Sequence, residues 1–216
     1  MEKPLQKSEP FAALILAAGY SGRMGVPKGF LPFDENRTFL EKITSEYLAF
    51  GCNPVAIVMN AKNLVIYEKM HFKQKDKIQA VLNPAPEKER FFSLQTGLKA
   101  VKPTGAVFLH NVDNPFLEQQ LLQALAAAFK EHTSLAQASA CAQTFFTPTY
   151  HGEGGHPILL SQEIVKALIE TPDYKQNLKI FLQSWSQINV PVNDPNILAN
   201  INSREEYERF FGKSFE

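Results

Sequence analysis

The chain has 216 residues, 44% hydrophobic and 20% charged, which predicts a single domain at 11–212 with a full core behind a polar tail at 1–10. Lysine plus arginine and aspartate plus glutamate each number 22, so no global basic field exists for a nucleic acid polymer or an anionic membrane, and phosphate affinity must be local. No stretch approaches the ~18 apolar residues of a membrane span, the start has no signal-like apolar core, and Cys52 and Cys141 lie far apart without metal spacing; together these predict a reduced, cytoplasmic protein.

Residues Phe11–Ala17 are uniformly apolar, as in a strand buried on both faces at the centre of a parallel sheet. The run enters a loop punctuated by Gly19, Gly22 and Gly25 that carries Arg23 and leads to Lys28. Glycines allow left-handed angles and bring several N–H groups against an anion, while the two cations add full charge; the alternative is an ordinary strand-to-helix turn. A Walker loop is ruled out because Lys28 stands between Pro27 and Gly29, leaving no following Ser or Thr for magnesium. A dinucleotide fingerprint is disfavoured, since the spacing is Gly-x-x-Gly-x-x-Gly, Pro27 and Pro32 delay a helix, and Glu41 falls inside a helical pattern.

Thr38 and Glu41 form a capping box for a helix with apolar Leu40, Ile43, Tyr47 and Phe50, stopped by Gly51. A strand at Val55–Met59, a helix near Asn63–Met70, a strand at Ala80–Leu82, a helix at Arg90–Val101 and a strand at Ala106–Leu109 follow. This alternation predicts an α/β sheet with right-handed crossovers, whose ligands bind outside the carboxyl ends of the strands. Gly19, Asn83 and Asp113 each follow such an end, so three loops converge on one crevice.

Asp113, in Asn111-Val112-Asp113-Asn114-Pro115, is by itself a turn former, but in the crevice it is a hard oxygen ligand suited to Mg²⁺. Gly97 inside a helix costs about 1 kcal/mol relative to Ala, so either a ligand or the sheet packs closely there. Arg90 is a phosphate contact or part of an exposed charged turn. His156, among Gly152, Gly154 and Gly155, is a ligand contact or a structural hydrogen-bonding residue, and is not read as a general base. His151, His156 and Cys141 make no zinc pattern. Phe145–Pro157 reads as the boundary of a small appended lobe, and Ser203 with Glu206 as the capping box of the last helix.

Leu16 to Gly19, Ser21, Arg23 to Gly25 and Lys28 resemble the signature of the MobA-like NTP transferases, in particular that of the molybdopterin cytidylyltransferases, and the resemblance runs over roughly residues 11–210. It implies a three-layer α/β/α, Rossmann-like, mostly parallel sheet of the nucleotide-diphospho-sugar transferase type. It also implies that Leu16, Ala17, Ala18, Gly19, Ser21 and Gly22 meet the nucleotide, Arg23 its β- and γ-phosphates, and Lys28 its α-phosphate. Asn83, Ser93 and Gly97, with Leu94 and Leu98 in register, resemble the substrate- and base-contacting segment. Gly155 and His156 resemble the acceptor-side Gly-His-Pro; Arg90, read as a phosphate contact from its own charge rather than from the resemblance, is expected on the acceptor. By the same resemblance Asp113 holds Mg²⁺, and Asn202 occupies the position of a second metal ligand.

The chain departs from these relatives at Glu87–Phe92, which replaces a small Gly- and Ser-containing turn, and at Thr171–Tyr174, which lacks Gly-Asp and Gly-Ala elements. The implied reaction is attack of an acceptor phosphate on the α-phosphorus of a nucleoside triphosphate with release of pyrophosphate, which needs positioning and charge neutralisation more than a strong base. Leu-Ala-Ala-Gly leans toward CTP; molybdopterin, a sugar 1-phosphate or another phosphorylated alcohol are the acceptors to consider. The expected partners are these two substrates, with no nucleic acid or membrane, in a monomer or small homo-oligomer. The alternatives are a nucleotide sensor without transfer and a nicotinamide-dependent oxidoreductase.

Overall fold

The computed structural model describes residues 11–20, 22, 24–135 and 143–215. Within them eight strands form one sheet: β1 (Ala12–Ala17), β2 (Val55–Met59), β3 (Ile78–Leu82), β4 (Val107–Asn111), β5 (Thr144–Tyr150), β6 (Glu153–Gly154), β7 (Ile158–Leu160) and β8 (Ser186–Pro191). The helices are α1 (Phe39–Phe50), α2 (Ala61–Lys69), α3 (Glu89–Val101), α4 (Gln119–Leu135), α5 (Gln162–Glu170), α6 (Leu178–Leu182) and α7 (Arg204–Phe211). The strand order is β3-β2-β1-β4-β7-β5-β6, with β8 also paired to β5. The pairs β1–β2, β1–β4, β2–β3 and β5–β8 are parallel, while β7 runs antiparallel to both neighbours.

All six residues of β1 are buried, because successive side chains enter different cores. Ala13, Ile15 and Ala17 join α1, α2 and α4 through Leu40, Ile43, Tyr47, Tyr67, Leu122 and Leu125. Ala12, Leu14 and Leu16 join α3, α5 and α6 through Leu94, Leu98, Ile164, Leu168 and Phe181. The result is the expected three-layer α/β/α, Rossmann-like architecture. A third cluster of Met24, Leu31, Phe39, Ile201, Tyr207 and Phe215 fastens α7 to the chain after the glycine loop, and the Tyr207 hydroxyl donates to the Pro32 carbonyl at 2.8 Å.

Three expectations are corrected. Phe145–Pro157 lies inside the sheet rather than at the edge of a lobe: its Thr- and Phe-rich half is β5, bonded to β7 and β8, and the glycines close the β5–β6 hairpin. The second helix begins before Asn63, since the Asn60 side chain accepts from Asn63 N–H and caps it. The fourth strand continues through polar His110 and Asn111, held by register with Ile15 and Leu16 of β1. Both capping boxes form, Thr38 with Glu41 and Ser203 with Glu206.

Candidate active site

Because β1, β2, β3 and β4 are mutually parallel, their carboxyl ends open on one rim. There a cavity of about 220 Å³ is walled by Leu16, Ala18, Gly19, Lys28, Pro86, Arg90, Ser93, Asn111, Val112 and Asp113. Ser21, expected on the nucleotide, and Arg23, expected on its β- and γ-phosphates, lie outside the described residues, as does Cys141. Gly22 is exposed, and Ala17 points into the opposite core, so neither lines this cavity.

Lys28 opens a single 3₁₀ turn, Lys28–Phe30. Gly29 is the reason the turn can sit so low: a Cβ there would stand 2.8 Å from Leu40 Cγ and 3.3 Å from Val112 Cγ2. The Lys28 ammonium donates to Asn202 Oδ1 at 2.6 Å and lies 3.5 Å from Asp113 Oδ2. The lysine and aspartate side chains are only 16% and 23% exposed, so screening by water is weak and the charges are felt strongly.

Asp113 Oδ1 is buried with no hydrogen-bond partner among the described residues. An orphaned carboxylate oxygen is costly, and a hard cation or a ligand donor would satisfy it. Asp113 and Asn202 both supply hard oxygens to the point that Lys28 holds, which fits a divalent ion. Among the described residues no three His, Cys, Asp or Glu are grouped to hold a metal unaided, so a divalent ion here would need substrate phosphates and water as further ligands.

The remaining expected residues divide by what they touch. Ser93 lines the cavity, whereas Asn83 sits behind it, donating to Ser93 Oγ at 2.8 Å and accepting from Ala85 N–H at 2.9 Å. Gly97 is not in the wall of this cavity: a Cβ would come within 2.6 Å of Val58 Cγ2 and 2.7 Å of Leu14 Cδ1, so close packing on the sheet accounts for the missing side chain. Gly155 plays the same part for the hairpin, since a Cβ would strike the Ile197 carbonyl.

That close approach carries His156 into the wall of a second cavity of about 530 Å³, lined also by Arg90, Phe91, Phe145, Gln176, Lys179 and Gln187. Arg90 belongs to both cavities. Arg90 is exposed, and it makes no ion pair among the described residues. His156 shares a 3.2 Å hydrogen bond between its Nε2 and Asn111 Nδ2. Burial, reinforced by the neighbouring Arg90 charge, pulls its pKa down to about 4, so it is neutral at pH 7.

Several supporting residues escaped the sequence reading. Asn60 Nδ2 donates to the Ala18 carbonyl at 2.9 Å and Asn63 Nδ2 to the Ala17 carbonyl at 2.8 Å, pinning the backbone that enters the glycine loop. His110 is buried between the Tyr47 hydroxyl, 2.9 Å from Nδ1, and the Asn114 carbonyl, 2.7 Å from Nε2. A carbonyl only accepts, so Nε2 carries the proton and Tyr47 donates to Nδ1. Burial holds this imidazole neutral, with a pKa of about 4. The available signals were the two asparagines just past β2 and a histidine inside an apolar strand.

The model of the MobA-like NTP transferase domain matches residues 13–188 of the chain. Molybdenum cofactor cytidylyltransferase of Escherichia coli (strain K12) is 25% identical over 194 residues, 90% of this chain and 92% of that protein. The crystal structure of Rv0371c from Mycobacterium tuberculosis H37Rv matches with a TM-score of 0.72 at 20% identity, covering 95% of this chain and 100% of that one. Its complex with manganese matches at 0.69 and 16%, covering 94% and 99%.

Proposed function

Since the chain belongs to the MobA-like NTP transferase family, we propose that it moves a nucleoside monophosphate, CMP in preference, from the triphosphate to a small phosphorylated acceptor. The observation that carries this reading is the pair of cavities joined at Arg90, one walled by Gly19, Lys28 and Asp113 and the other by His156 and amide side chains. A sensor needs the first cavity only. A transferase needs a second reactant beside it.

The triphosphate lies over the loop after Leu16, with Lys28 beside its α-phosphate. The acceptor phosphate, drawn by Arg90, is already ionised; its oxygen bonds to the α-phosphorus while the bond from that phosphorus to the bridging oxygen breaks, and the electron pair leaves with pyrophosphate. Lys28 neutralises charge that grows on the α-phosphate as this happens. Asp113 would hold Mg²⁺, with Asn202 joining it once Lys28 turns to the α-phosphate, and the ion would supply charge neutralisation for the phosphates. Neutral His156 contributes a hydrogen bond to the acceptor rather than charge. The cytidylyl preference is supported by Leu-Ala-Ala-Gly and by the similarity to the molybdenum cofactor cytidylyltransferase of Escherichia coli. That relative also makes molybdopterin the first acceptor to try, ahead of sugar phosphates.

The test is pyrophosphate release from CTP, ATP, GTP and UTP with Mg²⁺ against molybdopterin and a panel of phosphorylated sugars and alcohols. Acceptor-dependent release that is fastest with CTP is expected. Equal rates with all four nucleotides would remove the cytidylyl assignment.

A further inference from the structure

We propose that Asn114 is the positioning residue that ties the Asp113 carboxylate, the His156 turn and Asn202 into one unit; the metal-related part rests on the transferase reading above. Asn114 is 1% exposed, and a carboxamide so deep must spend its polar atoms on the protein. Both of its side-chain hydrogens are used on one segment, to the carbonyls of Asn196 and Ile197 at 3.0 Å each. Its Oδ1 accepts from Phe116 N–H at 3.3 Å, which closes the turn after Asp113. Its own carbonyl accepts from His110, itself held by Tyr47.

The bonds beyond the side chain give it reach. The Ile197 carbonyl also accepts from His156 N–H at 2.9 Å, and Ile201 N–H donates to the Asp113 carbonyl at 2.7 Å. The next residue is Asn202, whose Oδ1 receives Lys28. One amide therefore sits where the aspartate turn, the histidine turn and the asparagine that meets the catalytic lysine cross. No other neutral side chain of this size offers two N–H donors and an acceptor in one plane.

The test uses the full chain carrying Asn114→Ser or Asn114→Asp, the second keeping the shape while replacing two donors with a charge that faces two carbonyls. Mn²⁺ affinity is measured by electron paramagnetic resonance with a non-hydrolysable CTP analogue bound, and the His156 ring signals are followed by NMR. Loss of groups that orient a metal ligand weakens metal binding by about tenfold or more. A tenfold weaker Mn²⁺ affinity with a displaced His156 signal is expected in both variants, while affinity for the analogue without metal stays within about twofold. Either readout remaining at the wild-type value in a folded variant overturns the proposal, as does failure of both variants to fold, which would make Asn114 a core residue. If the wild type itself binds no Mn²⁺, the metal part of the transferase reading falls, and the His156 signal alone then decides the role of Asn114.

Discussion

Lys28 faces an amide and a carboxylate at once, 2.6 Å from Asn202 and 3.5 Å from Asp113. That division explains what each should do when removed. On the proposed mechanism Lys28→Ala withdraws charge stabilisation from the reacting phosphate, and Asp113→Ala withdraws the only carboxylate of the described cavity wall. Each is expected to cut kcat by about a hundredfold with an unchanged unfolding midpoint, by comparison with the loss of one preorganised donor in a buried site. Activity near that of the wild type in either variant would strip that residue of its role. Asn202→Asp asks a different question. A carboxylate binds Mg²⁺ better than an amide, so the half-saturating Mg²⁺ concentration should fall several-fold; no change would take Asn202 out of the metal site.

Among the elements, α3 is set by Gly97, pressed on Leu14 of β1 and Val58 of β2. Both neighbours are buried side chains in the middle of the sheet, where added volume costs about 1–3 kcal/mol against about 1 kcal/mol of helix propensity gained by alanine. Gly97→Ala should therefore lower stability by about 1 kcal/mol in a urea titration, with KM for CTP near the wild-type value. A raised KM with no loss of stability would instead restore Gly97 to the nucleotide.

The same scale shows what could be read from sequence. β1 and β2 were legible because both their faces are apolar. Of β3 and β4 only the apolar parts were, since Gln79, His110 and Asn111 interrupt the pattern. The helices α1 and α7 were legible because their capping boxes lie within four residues. The strands β5 to β8 were hidden. Thr and Pro dilute β5, and β8 exposes most of its residues, so neither has a clean period. At the cavity, Gly19 and Lys28 were legible from the local glycine and charge pattern, and Asp113 from its place after an apolar strand. Asn60, Asn63 and Asn114 were not, because an asparagine reads as a turn residue until its distant partner carbonyls are known.

For the whole molecule, two histidines are held neutral, His110 in the core and His156 in the cavity wall, each with a pKa near 4 instead of 6.5. As pH falls below 6.5 the unfolded chain takes up these protons before the folded one does. The contribution to stability is therefore complete above about pH 6.5 and is lost progressively toward pH 4. The urea midpoint should drop between pH 7 and 4.5, and drop less in His156→Gln, which has one such group fewer. Parallel curves for the two proteins would show that His156 is not held neutral.

The same large-scale arrangement brings two cavities to one arginine, and the claim that they hold donor and acceptor of a single transfer is tested most directly by following label. CTP labelled at the α- or the γ-phosphate would be incubated with Mg²⁺ and the acceptor identified in the release screen, using Asp113→Ala as control. The α-label should appear in a conjugate with the acceptor and the γ-label in pyrophosphate, both lost in the variant. The γ-label on the acceptor, or the α-label only in free CMP, would contradict nucleotidyl transfer and make the protein a kinase or a hydrolase.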